Sequence, residues 1–372
     1  MGELIPFNVP FVSDASKQYV LEALESNHQQ GDGPFTAKAS KMISDLVGGG
    51  HVLLTPSCTH ALEMASMLAN LGPGDEVILP SYTFTSAATA VTKFGATPVF
   101  VDIEMDTKGI DVNQVRESIS PRTKAISWVN YAGVAPDIEG LQSLAKEFNL
   151  LLIEDNAHGL GGSYNGKPLG SFGDFATQSF HSTKNIQCGE GGALVVNNLE
   201  YLSRAEIIRE KGTDRSQFIR GEIQKYQWVD LGSSYLLAEV LAAVLLGQLE
   251  KFHSIQDSRS EIFKRYLESF HGKEFTQQFV RENDEHTSHM FYVLLESLEV
   301  RESLRKHLLA NEIQSTFHYQ SLAHSKKGRE YAQGENLMSN SVKISNQLLR
   351  LPLHSELSQE QQEKVIEIVM SF

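Results

Sequence analysis

Leu150-Leu151-Leu152-Ile153-Glu154-Asp155-Asn156-Ala157-His158 is the stretch on which the fold turns. Four aliphatic residues in succession, without polar alternation, read as a strand buried on both faces, the kind found at the centre of a parallel sheet. Its carboxyl end carries two carboxylates, an amide and a histidine, and open α/β sheets gather their ligands at that end. A carboxylate there is costly to bury unless a cation faces it, so Asp155 calls for a positive partner. A protonated pyridine nitrogen would serve; the structural alternative is an Asp paired with Arg or capping the next turn.

Working outward, short β-branched runs alternate with helical patterns from about residue 50 to 197. The pattern predicts strands at His51–Leu54, Glu76–Leu79, Pro98–Asp102, Ala125–Asn130, Leu150–Glu154, Phe175–Ser179 and Ala193–Asn197. Such alternation is the signature of βαβ units and a mainly parallel sheet. Ala61, Leu62, Ala65, Leu68 and Ala69 recur at helical spacing, and Gly72-Pro73-Gly74 should end that helix. Residues 236–253 form a strongly apolar helical segment whose faces must both be covered, by the domain core or by another subunit. Beyond about 254 the pattern turns to charged amphipathic helices with a few strands. These include Met290–Glu296 and a closing helix after Ser358 with Gln361 in capping-box position. The expected division is a large domain over 1–250 and a smaller α+β domain over 251–372.

The 372 residues carry 32 Lys plus Arg against 46 Asp plus Glu, a net charge of −14 that repels phosphate backbones and anionic lipid. Nucleic acid and membrane are therefore not expected partners. Cys58 and Cys188 cannot build a disulfide framework, and no Cys/His set has zinc-site spacing. The first six residues lack a signal-peptide pattern, and no run approaches a membrane span, so a cytoplasmic protein is expected.

Three further places after strands carry candidate chemistry. Ser57-Cys58-Thr59 would open the helix containing Ala61, where free N–H groups and the dipole bind phosphate, unless it is an ordinary N-cap. Pro80-Ser81-Tyr82-Thr83-Phe84 follows another strand. Lys184 lies after Phe175–Ser179, in Ser179-Phe180-His181-Ser182-Thr183-Lys184-Asn185, with Gly189-Glu190-Gly191-Gly192 behind it. A lysine there can react with an aldehyde cofactor, although most lone lysines are solvated surface charges.

Together with Gly33-Pro34-Phe35-Thr36 and Leu351-Pro352-Leu353-His354, these segments stand in an order that resembles the DegT/DnrJ/EryC1/StrS sugar aminotransferases nearly end to end. The resemblance implies an α/β, pyridoxal 5′-phosphate (PLP)-dependent aspartate aminotransferase type I fold. It has a mainly parallel large-domain sheet and a smaller α+β C-terminal domain. It implies that Lys184 holds the cofactor and moves protons, that Asp155 faces the pyridine nitrogen, that His158 sits near the 3′-oxygen and that Phe84 stacks on the ring. The phosphate would be held by the Ser57, Cys58 and Thr59 turn, by the Ser179 hydroxyl and by Ser234 of a second subunit, making a homodimer with shared active sites.

The resemblance further implies L-glutamate as amino donor and a nucleotide-linked keto sugar as acceptor. Residues 209–218 and 232–236 look most like the branch that makes dTDP-4-amino-4,6-dideoxygalactose. The expected substrate is therefore dTDP-4-keto-6-deoxyglucose, aminated at C4 for surface polysaccharide biosynthesis. Lys211, Arg215 and Arg220 are the candidate diphosphate cations, with a solvated charged loop as the alternative. His318-Tyr319 resembles the family's sugar-site pair, but His324 is displaced by one residue and receives no role. Asn156 stands where relatives commonly have Ala, either reaching toward substrate or capping a turn. Competing readings are a 3-keto-sugar aminotransferase, a sugar 3-dehydratase, which Lys184 argues against, and a non-catalytic binding module, which Lys184 and Asp155 argue against.

Overall fold

Each expected apolar run in the first half of the chain becomes a strand. The computed structural model describes residues 4–273, 275, 278–282, 284–332 and 338–372. Strands β1 (His51–Thr55), β2 (Glu76–Pro80), β3 (Thr97–Val101), β4 (Thr123–Val129), β5 (Leu151–Asp155), β8 (Phe175–Ser179) and β9 (Gly192–Val196) form one sheet, ordered β1-β9-β8-β5-β4-β2-β3. The short β6 (Ser163–Tyr164) and β7 (Lys167–Pro168) pair only with each other. Pairs β2/β3, β2/β4, β4/β5 and β5/β8 are parallel, whereas β9 runs antiparallel to both β1 and β8. The fold is thus the α/β type I fold, mainly parallel with one reversed strand.

Both faces of the sheet are buried, which explains the unbroken apolar runs. Alternation still sorts the side chains. Leu53 packs with Ala61, Leu62 and Ala65 on one face, while Val52 and Leu54 join Ile43, Phe180 and Leu246 on the other. The helix Cys58–Leu68 ends at Ala69, followed by left-handed Asn70 (φ 52°), so it stops before Gly72 rather than at it.

The apolar segment predicted as one helix over 236–253 is two: Glu239–Leu249 and the longer Phe252–Ser269, separated at Glu250 and Lys251. The N-terminal helices of the same chain, Asp14–Glu25 and Pro34–Leu46, cover the first of these. Gly247 permits the close approach, since a Cβ there would lie 2.4 Å from the Ser16 nitrogen. Ser13 and Ser16 hydroxyls donate to the carbonyls of Gly247 and Val244 at 2.8 and 3.0 Å.

In the C-terminal part, β10 (Phe291–Leu294) and β11 (Leu348–Leu351) pair antiparallel, and β10 is shorter than the Met290–Glu296 run suggested. Leu349 and Leu351 enter a core with Phe263, Tyr266, Phe291 and Val365. The alternate residue Leu348 turns the other way, toward Tyr82, Tyr131 and Tyr292. The closing helix, Gln359–Met370, has the expected capping box of Ser358 and Gln361. No helix among the described residues is long and apolar enough to cross a membrane.

One buried carboxylate fastens the N-terminal helices to this frame. Glu239, 1% exposed, accepts N–H bonds from Gly33, Phe35 and Thr36 at 2.9–3.0 Å and a short bond from the Thr36 hydroxyl. Glu239→Ala leaves those donors unmet, and the expected loss in denaturant unfolding is about 2–4 kcal/mol, since charged hydrogen bonds contribute about 1.5–3 kcal/mol. Glu239→Gln should lose less.

Candidate active site

β5 delivers its two carboxylates to opposite faces because side chains alternate along a strand. Glu154 turns away from the cavity and is held structurally: Gly170 and Phe172 N–H groups donate to it at 2.7 and 3.0 Å, and the Asn130 amide at 2.8 Å. Asp155 turns into a cavity of about 810 Å³ at the carboxyl end of the sheet. There its Oδ1 accepts the Ala157 N–H at 3.1 Å and lies 3.9 Å from the Cys58 Sγ. Among the described residues no cation lies within 4 Å of it. Burial pushes the Asp155 carboxyl above its ordinary value, against the opposing pull of the Ala157 N–H and of Lys184.

The same cavity is lined by Ser57, Cys58, Thr59, Phe84, His158, Ser179 and Lys184. All the predicted residues but Ser234 therefore converge from separate parts of the chain. Lys184 sits in the loop joining β8 to β9, a reversal closed by Phe180 N–H to Gly191 C=O at 2.8 Å and Ser182 N–H to Gly189 C=O at 2.9 Å. Its remaining exposure faces the cavity; burial pushes the ammonium down to about 8, against the raising effect of Cys58 and Asp155.

Ser57 is the N-cap of the helix Cys58–Leu68, its hydroxyl accepting the His60 N–H at 3.2 Å. Cys58 and Thr59, the first residues of that helix, line the cavity, and the first-turn N–H groups of a helix have no partner within it. The structure shows the ordinary cap, and it places the capped helix terminus on the cavity. Phe84, 55% exposed, precedes the helix Thr85–Thr92 and leans on Tyr319 with ring centroids 5.9 Å apart.

His158 is buried and stacks on His289 at 4.4 Å between centroids. The Ala132 N–H donates to His158 Nδ1 at 3.3 Å, so the proton resides on Nε2. His289 Nδ1 donates to the Asn185 Oδ1 at 2.9 Å. Burial first, then the charges of Lys184 and Arg350, hold His158 and His289 well below the ordinary histidine value, and His318 likewise.

Several expectations require correction. Lys211, Arg215 and Arg220 do not line the cavity; Glu210 takes Lys211 and Arg215 at 3.2 and 2.6 Å, and Glu206 and Glu222 take Arg220 at 2.9 and 2.7 Å. Within this chain the three cations belong to a loop of ion pairs. Asn156 neither reaches the cavity nor simply caps a turn: it is buried, accepting from Asn130 at 2.8 Å and donating to Gln178 at 3.3 Å. His324 bonds Ser321 at 2.9 Å, outside the cavity. Ser234, expected at a second subunit's site and not at its own, is exposed and lies outside this chain's cavity. Sequence reasoning missed His289 and Arg350, which line the cavity from the C-terminal part. Arg350 had a signal, a lone cation inside the apolar strand Leu348-Leu349-Arg350-Leu351.

His158, His289 and His318, held neutral in the fold, make it acid-sensitive. They charge freely in the unfolded chain below pH ~6.5, so that state binds more protons and stability falls as pH drops from 7 toward 5. The melting temperature should decline over that window, and His289→Gln should make the decline shallower.

Comparison with known proteins agrees with this geometry. Residues 11–370 match the model of the DegT/DnrJ/EryC1/StrS aminotransferase family. The spore coat polysaccharide biosynthesis protein SpsC of Bacillus subtilis is 29% identical, covering 99% of this chain and 97% of its own. Spr1654 of Streptococcus pneumoniae, assigned as a sugar aminotransferase, superposes in its PMP form with a TM-score of 0.91 at 28% identity, covering 99% of this chain and 98% of that one. Its PLP form superposes at 0.89, over 98% of this chain and 97% of that one, also at 28% identity. The aminotransferase TlmJ of Streptoalloteichus hindustanus gives 0.91 at 27% identity, with 99% and 98% covered. The chain belongs to the DegT/DnrJ/EryC1/StrS aminotransferase family, whose members depend on PLP.

Proposed function

We propose that this enzyme transfers the amino group of L-glutamate to C4 of a nucleotide-linked 4-keto-6-deoxy sugar, with dTDP-4-keto-6-deoxyglucose as the favoured acceptor. The product is a 4-amino-4,6-dideoxyhexose nucleotide for surface polysaccharide assembly, made in the cytoplasm. The observation that carries amino transfer is that Asp155 and Lys184, a carboxylate and an amine with no ion pair between them, line one cavity. The sugar assignment is supported by the resemblance of residues 209–218 and 232–236 to the dTDP-4-amino-4,6-dideoxygalactose branch.

The residues present fit PLP. A buried carboxylate without a cation suits a ring nitrogen that carries a proton, and an amine pushed down to about 8 suits an aldehyde carbon. The first-turn N–H groups of Cys58 and Thr59 suit a phosphate. When bound, PLP supplies a carbonyl carbon that takes up the amino group and a charged ring that withdraws electrons from the neighbouring carbon.

The chain's own groups do the rest. Asp155 keeps the ring nitrogen protonated. His158 offers its Nε2–H to an oxygen acceptor, Phe84 covers one ring face, and Ser179 adds a hydroxyl to the phosphate turn. Lys184, once its amine is free, takes a proton from one carbon and returns it to another, a task for which an amine titrating near neutrality is well matched. In this reading the chain divides at 250/251 into a large and a small domain that meet at the cavity. A homodimer brings Ser234 to the partner's phosphate turn.

The capture of PLP by apoprotein requires the unprotonated amine, so its rate should rise with pH and level off above a midpoint of about 8, followed by absorbance. Borohydride should then fix one cofactor to Lys184, found by peptide mass. Lys184→Ala should fold normally yet lose turnover by at least the ~10²–10⁴-fold typical of acid–base groups. For the acceptor, mass spectrometry and NMR of the product from dTDP-4-keto-6-deoxyglucose and glutamate should show amination at C4. Amination at C3, or no product, would reject the sugar assignment.

A further inference from the structure

We propose that His289 is a positioning residue for the Lys184 amine and acts through Asn185, an assignment that rests on the role given to Lys184 above. Among the described residues nothing bonds that amine, so its place in the cavity depends on the backbone that carries it. On the N-terminal side the Lys184 N–H donates to the His181 carbonyl at 2.8 Å. On the C-terminal side the anchor is the side chain of Asn185.

Both polar atoms of that amide are taken. Its Nδ2 donates to the Thr287 carbonyl at 2.7 Å and to Gln256 Oε1 at 3.2 Å, so Oδ1 is the atom turned to His289, 2.9 Å from its Nδ1. An amide oxygen only accepts, which puts the His289 proton on Nδ1. A lysine or arginine at this position would also donate, but it would add a charge beside Lys184, Arg259 and Arg350, whereas the buried imidazole donates while neutral. The stack on His158, with 24° between the ring planes, fixes the direction of the N–H.

The segment that carries His289 is itself braced. Residues 286–289 lie outside helix and strand, so their carbonyls are open to side-chain donors. Gln256 and Arg259, three apart on one face of the helix Phe252–Ser269, supply them. Gln256 Nε2 donates to the Thr287 carbonyl at 2.6 Å, and Arg259 Nη2 and Nε donate to those of His289 and Ser288 at 2.7 and 3.2 Å. The Thr287 hydroxyl donates to the Ala132 carbonyl at 3.4 Å, and the Ala132 N–H in turn holds His158. One short run of the C-terminal part thus fixes both the residue beside the amine and the histidine across the cavity, and the two keep a common reference.

The test is the capture of PLP by full-length apoprotein, in which the amine nitrogen joins the aldehyde carbon and one water leaves, followed by absorbance across pH. The plateau rate reports where the amine stands, and the midpoint reports the charge around it. His289→Phe keeps a ring against His158 and removes the donor; the plateau should fall about 10-fold, as expected when a reacting group is displaced by a fraction of an ångström. The midpoint should stay at about 8. Affinity for pyridoxamine phosphate, which has no aldehyde, should stay at the wild-type value, which a general loosening of the site would not allow. His289→Asn, whose amide nitrogen falls near the place of Nδ1, should restore most of the plateau rate. Asn185→Ala should slow capture as His289→Phe does, and the double variant should be no slower than either, since both remove one bond. An unchanged plateau in either single variant, additive losses in the double variant, or a parallel fall in pyridoxamine phosphate affinity overturns the proposal. The Asn185→Ala arm decides the matter where His289→Phe does not fold. Wild-type protein that captures no PLP at Lys184 overturns the role of the lysine, and this proposal with it; normal wild-type capture with unaltered variants overturns this proposal alone.

Discussion

A carboxylate and an amine of opposite tendency share one cavity without neutralising each other, and the rest of the molecule serves to keep them so. Burial alone would drive Asp155 toward its neutral form and Lys184 likewise, and each is shifted in that direction. An ion pair between them would satisfy both and leave nothing for a ligand. The scaffold prevents collapse by fixing the backbone on either side. Glu154 is bonded to Gly170, Phe172 and Asn130 on the far face, while the loop carrying Lys184 is pinned across its base by paired backbone bonds. Stability is forgone at this point, and both groups are left free in the cavity.

How much of this was legible in the sequence depends on range. Phe175–Ser179 was predicted to the residue, and Leu150–Glu154 came out one position later, which moves Asp155 from just beyond the strand to its last residue. Short-range alternation and turn chemistry determine such features, and they are local. The helix at 236–253 was misjudged because its composition reports burial but not the break at Glu250 and Lys251. Lys211, Arg215 and Arg220 misled for a related reason: charge counted along the sequence cannot show that Glu210, Glu206 and Glu222 already take it up. His289 and Arg350 reach His158 and Lys184 across more than a hundred residues, so no window around either carries that contact. Only the anomaly of an arginine between leucines hinted at it.

The topology explains why the predicted residues meet at all. Asp155 closes β5, Ser179 closes β8 and Thr55 closes β1, and these three strands point the same way in the order β1-β9-β8-β5. The reversed β9 lies between β8 and β1. A chain that must double back to enter β9 makes its turn at the ligand end of the sheet, and the turn is where Lys184 is carried. A parallel crossover there would have taken the chain to the opposite end before the next strand, since parallel strands need a long return connection.

The same reversed strand also seats the turn Ser57–Thr59. β9 begins at Gly192, which pairs with Thr55 on one side and Ser179 on the other. A Cβ at Gly192 would stand 2.3–2.6 Å from backbone atoms of Ser57 and Cys58, closer than any tolerated contact. The first turn of the helix therefore rests directly on the β9 backbone, and only glycine permits that seat. One strand's direction thus governs two functions, the reversal that presents the amine and the floor under the N–H groups. Its glycine start ties them to a common position, and with Asp155 two strands away the sheet backbone fixes the spacing of all three, across which Cys58 Sγ lies 3.9 Å from Asp155 Oδ1.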